Sequence, residues 1–344
     1  MNKTNQNLPL VSICIPSYNH EKYIAETISS VILQDYQNIE LLIIDDASFD
    51  NSDAIINDFL SKYKSHFVRF DYHKNLTNQG ISYNLNYAIN WAKGKYFYAI
   101  ASDDILMPFK TSLLVAEIEK LNAKNDNHNN NDNNNYAAIF GDALMINQQS
   151  QQIVVDNEMR IFLAKDIKNI ELGSTKNKYY KTFLEFFANK RNFDFDNTNN
   201  TNNTNKTNKN INFEITYADL LQGNFLPAMS SLINLQCIKN VGAYTNGNKI
   251  EDLEIWLKLT QKYKMLLINK PVAYYRSHQF NTSKNNLPEI FKDTLKIIQQ
   301  QKDFAINNGY KNEFFDVITK LITSVKKFDA DFADYYANLN NVKV

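Results

Sequence analysis

Glycine is scarce, at 8 of 344 residues, and none stands in a Gly-x-Gly-x-x-Gly or Walker arrangement. A dinucleotide or P-loop site has no local support. Cysteine is scarcer still: Cys14 and Cys237 lie far apart in apolar surroundings, which excludes a disulfide framework and a Cys/His metal cluster and fits a reducing compartment. Charge of one sign is missing too. The 37 basic and 37 acidic side chains cancel, so no overall cationic field exists to hold nucleic acid. No apolar run approaches the ~20 residues that span a bilayer, and the polar start, Met1 to Asn7, has no apolar h-region. The expectation is a cytoplasmic chain that meets a membrane only at its inner face.

The chain is long enough for one large domain or two ordinary ones with a core of their own. Leu10 to Ile15 is an apolar run closed by Pro16, and Ile24, Ile28, Val31 and Ile32 follow at helical spacing. Leu41 to Ile44 and Phe67 to Tyr72 repeat the strand signal, with Ile55, Ile56, Phe59 and Leu60 as a helix between them. Gly80 to Ala92 reads as a helix, Tyr96 to Ala101 as a buried strand, and Ile105 to Leu114 as another helix. Strands separated by helices of this length predict an α/β fold with right-handed crossovers and a mainly parallel central sheet.

Two segments interrupt the order. Asn122 to Asn135 and Asn192 to Asn210 are dominated by asparagine and cannot offset their ordering entropy by burial, so both read as surface insertions. Tyr136 to Ile146 and Gln152 to Val155 look like strands, and Tyr179 to Phe187 like a short aromatic helix. Its Tyr179, Tyr180, Phe183, Phe186 and Phe187 suit either a core stripe or sugar-binding faces. Farther on, a helix follows Glu251-Asp252, Met265 to Ile268 and Val272 to Tyr275 read as two strands, and amphipathic helices fill the tail beyond Leu287. The tail stripe of Phe314, Ile318, Leu321 and Ile322, beside Lys311, Lys320, Lys326 and Lys327, can dock on its own chain, on a second copy as a homodimer, or as a peripheral membrane contact.

Chemistry concentrates at strand ends. Asp45-Asp46 closes one strand and Ser102-Asp103-Asp104 another, which suggests one crevice of the kind where open α/β sheets bind ligands. Buried carboxylates there call for something positive. With no Cys/His spacing, oxygen ligands remain, suited to Mg²⁺ or Mn²⁺ bound with phosphate oxygens. Asp103-Asp104 fits that role, or caps the following helix.

Val11 to Asn19, Ile43 to Ser48, Asn78-Gln79-Gly80 with Asn86, Gly94-Lys95-Tyr96, Ser102-Asp103-Asp104 with Pro108, Glu251-Asp252 with Trp256-Leu257-Lys258, and Tyr275 to His278 with Ser283 together resemble the family 2 glycosyltransferases. The likeness spans residues 8–283: a donor half over about 8–121, an acceptor half over about 136–283, and a helical extension over 284–344. It implies a GT-A fold and inverting transfer of a hexose or N-acetylhexosamine from a UDP-sugar to a hydroxyl of a bacterial surface glycan or lipid-linked acceptor.

By position, Pro16, Tyr18 and Asp46 would border the nucleoside, with Asp45 a ribose or structural contact and Asp103 on the ribose side. Asp104 and His278 would hold Mn²⁺ or Mg²⁺, Arg276 would reach phosphate, and Asp252 would act as base with Glu251 orienting. The acceptor would lie against residues from Asp142 to Leu226. Leu85, before Asn86, stands where the family often has a basic side chain. A non-catalytic nucleotide-sugar-binding scaffold is the alternative, and the intact Asp46, Asp104 and Asp252 argue against it. Replacing each Asn tract by a short flexible linker is expected to leave soluble yield unchanged and thermal unfolding within about 2 °C; aggregation of the shortened chain would contradict the insertion reading.

Overall fold

A computed structural model describes residues 8–126, 135–156, 160–166, 179–189, 212–248, 250–279, 281 and 287–343. The Asn192 to Asn210 tract, residues 127–134 of the other tract, and Ser283 lie outside them. The first hundred residues alternate as β1 (Val11–Ser17), α1 (Ile24–Ile32), β2 (Ile39–Asp45), α2 (Ser52–Tyr63), β3 (Arg69–Lys74), α3 (Ile81–Trp91) and β4 (Tyr96–Ala99). Strands β1 and β2 are near-continuous apolar runs because helices cover both of their faces. Ile13, Ile15, Leu41 and Ile43 pack on Ile24, Ile28 and Val31 of α1. The alternate residues Cys14, Leu42 and Ile44 share a core with Leu85, Ala88 and Ile89 of α3, as the two-residue period of a strand requires.

The chain continues through β5 (Ile105–Leu106), α4 (Lys110–Asp126), β6 (Tyr136–Ile146), β7 (Ile153–Asp156), β8 (Ile161–Leu163), β9 (Tyr179–Tyr180), α5 (Phe183–Asn189), β10 (Asn212–Ile215) and α6 (Tyr217–Leu221). It then forms β11 (Ser231–Asn234), α7 (Leu235–Asn240), α8 (Glu251–Thr260) and β12 (Lys264–Arg276). The large sheet runs β10-β12-β6-β11-β4-β1-β2-β3, with β5 beside β12. It is mixed rather than mainly parallel. The β4-β1-β2-β3 half is parallel, but β11, from the second half of the chain, runs antiparallel to both β4 and β6.

Several other readings change. The two strands expected around Lys270 are one strand, β12, with register shifts beside Pro271, where a bulge accommodates the missing amide donor. Ile105 and Leu106 pair with β12, so the next helix begins only at Lys110. Asn122 to Asp126 complete α4, and Asn122 exchanges hydrogen bonds with the Tyr136 backbone. Tyr179 and Tyr180 form a strand of the small sheet β8-β7-β9. Tyr180 and Phe186 are buried with Met145, Ile153 and Val155, which makes those two aromatics core.

The tail folds as α9 (Leu287–Gln300), α10 (Lys302–Asn307), α11 (Lys311–Lys326) and α12 (Ala330–Asn340). Phe314, Ile318 and Ile322 are fully buried in the same core as Tyr217, Leu220 and Trp256, and Phe304 and Tyr310 close on the Tyr217 ring at 4.8 and 5.0 Å. The apolar stripe is thus taken up by the chain itself. Lys320 and Lys326 pair with Asp316 and Asp334. Among the described residues no helix is long and apolar enough to cross a membrane.

One glycine position is set by close approach. Gly94 donates its N–H to Ser12 Oγ (2.9 Å), Ser12 donates to Glu40 Oε1 (2.6 Å), and Glu40 also accepts from Lys93 N (2.7 Å) and Arg69 (2.8 Å). A Cβ on Gly94 would lie 2.6 Å from Ser12 Oγ and 2.7 Å from two backbone carbonyl oxygens. Gly94→Ala is therefore expected to cost about 1–3 kcal/mol, read as a lower urea midpoint at unchanged m-value; an unshifted midpoint would show that the backbone there can yield.

Candidate functional site

Strand register creates the site. Pro16 pairs with Ile44 and Ser17 with Asp45, while Cys14 pairs with Ala99 of β4. The loops after β1, β2 and β4 therefore leave the sheet side by side, at the carboxyl edge where such sheets bind ligands. Between them opens a cleft of about 840 Å³ lined by Pro16, Tyr18, His20, Asp46, Glu251 and His278, among others. That volume suits a small-molecule ligand. A cavity of about 120 Å³ adjoins it, sharing Pro16, Ile81, Ala101 and Glu251, and contains Asp104, Asp252 and Trp256 in its wall.

His20, Asp103 and His278 place one ligand atom each within 4.8 Å of one another. His278 Nε2 is 2.8 Å from Asp103 Oδ2, Tyr23 stacks on the His278 ring at 5.2 Å, and His20 Nδ1 is 2.7 Å from Ser102 Oγ. Burial, with the neighbouring His278 adding to it, lowers the His20 pKa against the opposing pull of Asp103 and Asp50. A neutral imidazole keeps its lone pair for a metal. Two imidazole nitrogens and one carboxylate oxygen form a donor set able to hold a divalent metal ion.

His20 was not among the residues singled out in the sequence. Its signal was its place in the loop after β1, one strand away from the end of β4.

Asp104, expected at the metal with His278, turns elsewhere. Its Oδ1 accepts the Arg276 N–H at 2.9 Å, and burial, then the charge of Asp103, raises its pKa well above the usual range. Asp103 lies in the turn after β4 and joins the histidines, while Asp104, immediately before β5, lines the smaller cavity.

Arg276, expected at phosphate, is fully buried. Its guanidinium donates to Asp103 O (2.6 Å), Asn147 O (3.1 Å), Ser150 Oγ (2.9 Å) and Glu26 Oε2 (2.6 Å). It ties the β4 end, the turn after β6 and helix α1 together instead of facing the cleft.

Asp45 is likewise buried, accepting from Ser48 Oγ, Ser48 N and Tyr72 and lying 3.8 Å from Lys74 Nζ; its geometry is the structural one. Asp46 lines the cleft, but its Oδ1 accepts from Asn75 Nδ2 (2.7 Å) and Gln79 N (2.8 Å) and its Oδ2 from Gly80 N (2.9 Å). A carboxylate has about four lone-pair sites, so Asp46 both orders the turn before α3, where Gly80 takes a positive φ of 82°, and retains acceptor capacity on Oδ2. Pro16 and Tyr18 line the same cleft.

Glu251 and Asp252 start α8. Asp252 accepts from Asn224 Nδ2 (2.6 Å) and Leu253 N (2.8 Å). Burial, and secondly the charge of Asp252, push Glu251 up to about 8. At neutral pH Glu251 therefore keeps its proton. Glu254 faces away, held by Thr245, Asn248 (2.8 Å) and Lys258 (2.6 Å), which makes Lys258 a structural partner.

The pattern described as Glycosyl transferase family 2 matches residues 12–166. An uncharacterized glycosyltransferase of Haemophilus influenzae is 32% identical over 190 residues, 52% of this chain and 72% of that protein. The chain belongs to glycosyl transferase family 2 and is classed with its enzymes. It spans only 16–36% of the length of other curated relatives.

Among solved structures, S. aureus TarS 1-349 in complex with UDP-GlcNAc gives a TM-score of 0.55 at 14% identity, covering 93% of this chain and 73% of that one. Mannosyltransferase PcManGT from Pyrobaculum calidifontis, in complex with GDP-Man and Mn²⁺, gives 0.53 at 12% identity, covering 96% and 74%. At such identities the likeness is one of fold: α/β, with a helical C-terminal region.

The raised Glu251 pKa has a stability consequence. A carboxyl that holds its proton more tightly when folded weakens the fold as pH rises from the ordinary carboxylate range to about 8, because the unfolded chain ionises first. Glu251→Gln removes that slope. Its melting temperature is expected to gain about 2–4 °C on the parent between pH 5 and pH 9; a difference that does not vary with pH would contradict the assignment.

Proposed function

We propose that the chain is an inverting, metal-dependent GT-A glycosyltransferase that moves a hexose or N-acetylhexosamine from a UDP-sugar to a hydroxyl of a bacterial surface glycan or lipid-linked acceptor. In this reading residues 8–121 form the donor half, residues 136–283 the acceptor half, and 284–344 a helical extension. The observation that carries it is the convergence of four features on one crevice: Tyr18, the Asp46 acceptor, the His20-Asp103-His278 group, and the Glu251-Asp252 pair. The nucleotide-sugar complexes of the two structural neighbours support the substrate class.

Tyr18 would stack on the base, and Asp46 would accept its imide hydrogen on Oδ2. His20, Asp103 and His278 would hold Mn²⁺, which when bound supplies positive charge for the departing diphosphate. Arg276 supports this group from behind, through the Asp103 carbonyl and the Asp104 carboxylate. Asp252, oriented by Asn224, would take the proton of the acceptor hydroxyl as that oxygen attacks the anomeric carbon. Glu251, protonated at neutral pH, would donate a hydrogen bond to a hydroxyl of either sugar. A single displacement of this kind inverts the anomeric centre and needs no covalent sugar-enzyme intermediate.

A screen of nucleotide sugars with and without Mn²⁺, read by nucleotide diphosphate release and product mass, tests the proposal. A UDP-sugar is expected to turn over only with the ion, and Asp252→Asn is expected to reduce transfer by at least ~100-fold with unchanged melting. Equal turnover in excess chelator would remove the metal from the reaction. Binding of a nucleotide sugar without transfer to any glycan acceptor would leave a scaffold.

A further inference from the structure

Phe49 is 83% exposed, yet it lines the large cleft with Tyr18. The rings stand 6.4 Å apart and nearly perpendicular, at 86°. An exposed phenyl ring on a cleft wall, beside a second exposed aromatic ring, offers an apolar face to whatever occupies the cleft.

The backbone beneath the pair is built to hold it. Asn19 N donates to Ser48 Oγ (2.9 Å) and Phe49 N to Asn19 Oδ1 (3.0 Å). One step outward, Glu21 N donates to Asp50 Oδ2 (2.9 Å) and Asn51 N to Glu21 Oε2 (3.0 Å). These bonds lace the loop after β1 to the loop after β2. Each loop also carries a non-glycine residue in the left-handed region, Asn19 at φ 53° and Ala47 at φ 63°. Such conformations persist where surrounding contacts over-determine them, commonly at ligand sites.

We infer that Phe49 is the second wall of a nucleobase slot whose first wall is Tyr18. A planar heterocycle stacked on one of two perpendicular rings presents its edge to the other, and both arrangements are favourable between π systems. Asp46 lies three residues before Phe49 in the same loop, so the hydrogen-bonding edge of the base and its apolar face are read by one segment. The inference rests on the nucleotide-sugar reading above. It adds a specificity-determining residue to which the sequence pattern assigned no role.

Isothermal titration of the full chain with UDP and with inorganic pyrophosphate, both in Mn²⁺, tests it on the parent, Phe49→Ala and Phe49→Tyr. Phe49→Ala is expected to weaken UDP about 5- to 20-fold while pyrophosphate changes less than about twofold, and Phe49→Tyr is expected to restore UDP binding. Unchanged UDP affinity in Phe49→Ala, with the parent binding UDP, overturns the inference and leaves the proposed function standing. Parallel loss of UDP and pyrophosphate overturns it in favour of a loop-ordering role. A parent chain that binds no nucleoside diphosphate overturns both.

Discussion

The level register of three parallel strands is the constraint on which the rest of the structure depends. With Ser17 beside Asp45 and Cys14 beside Ala99, the loops after β1, β2 and β4 must emerge together. A one-residue slip would turn every side chain of a strand to the opposite face. Because β1 packs Ile13 and Ile15 on one face and Cys14 on the other, such a slip is opposed by both cores at once. The hydrophobic interior thereby sets where Tyr18, Asp46 and Asp103 stand.

That placement crowds acids into one edge, and each is accommodated differently. Asp45 is held within the fold by the Ser48 hydroxyl, with Lys74 Nζ 3.8 Å away. Asp46 is held by backbone amides, Asp103 by His278, and Asp104 by a backbone N–H of the residue whose guanidinium braces the same strand end. Glu251 is left with burial and a charged neighbour, and it responds by keeping its proton to about pH 8. Burial is the larger cause of that shift, and the neighbouring acid adds to it.

Much of the parallel half was legible because its signals are local. Apolar runs at Leu10 to Ile15 and Leu41 to Ile44, with helical spacing between, lead directly to β1, α1 and β2. The second half was less legible. Nothing local distinguishes one bulged strand through Pro271 from two strands, and the antiparallel entry of β11 between β4 and β6 pairs residues far apart in the chain. Asn122 looked like the start of an insertion by composition, yet its amide closes on Tyr136 and extends α4.

The sequence by itself determined the α/β class, the strand ends that carry acids, and the residues able to bind or ionise, since these follow from periodicity and side-chain chemistry. The tertiary structure alone decided which of them meet. His20 joined Asp103 and His278, Asp104 turned to the Arg276 backbone, and Arg276 itself was withdrawn from the cleft into a brace between α1, β4 and the turn after β6. The physical reason is that side-chain orientation in the turns beyond the strand ends is set by neighbours that packing brings close, which no local pattern displays. Arg276 and Glu26 are 250 residues apart in the chain and 2.6 Å apart in space.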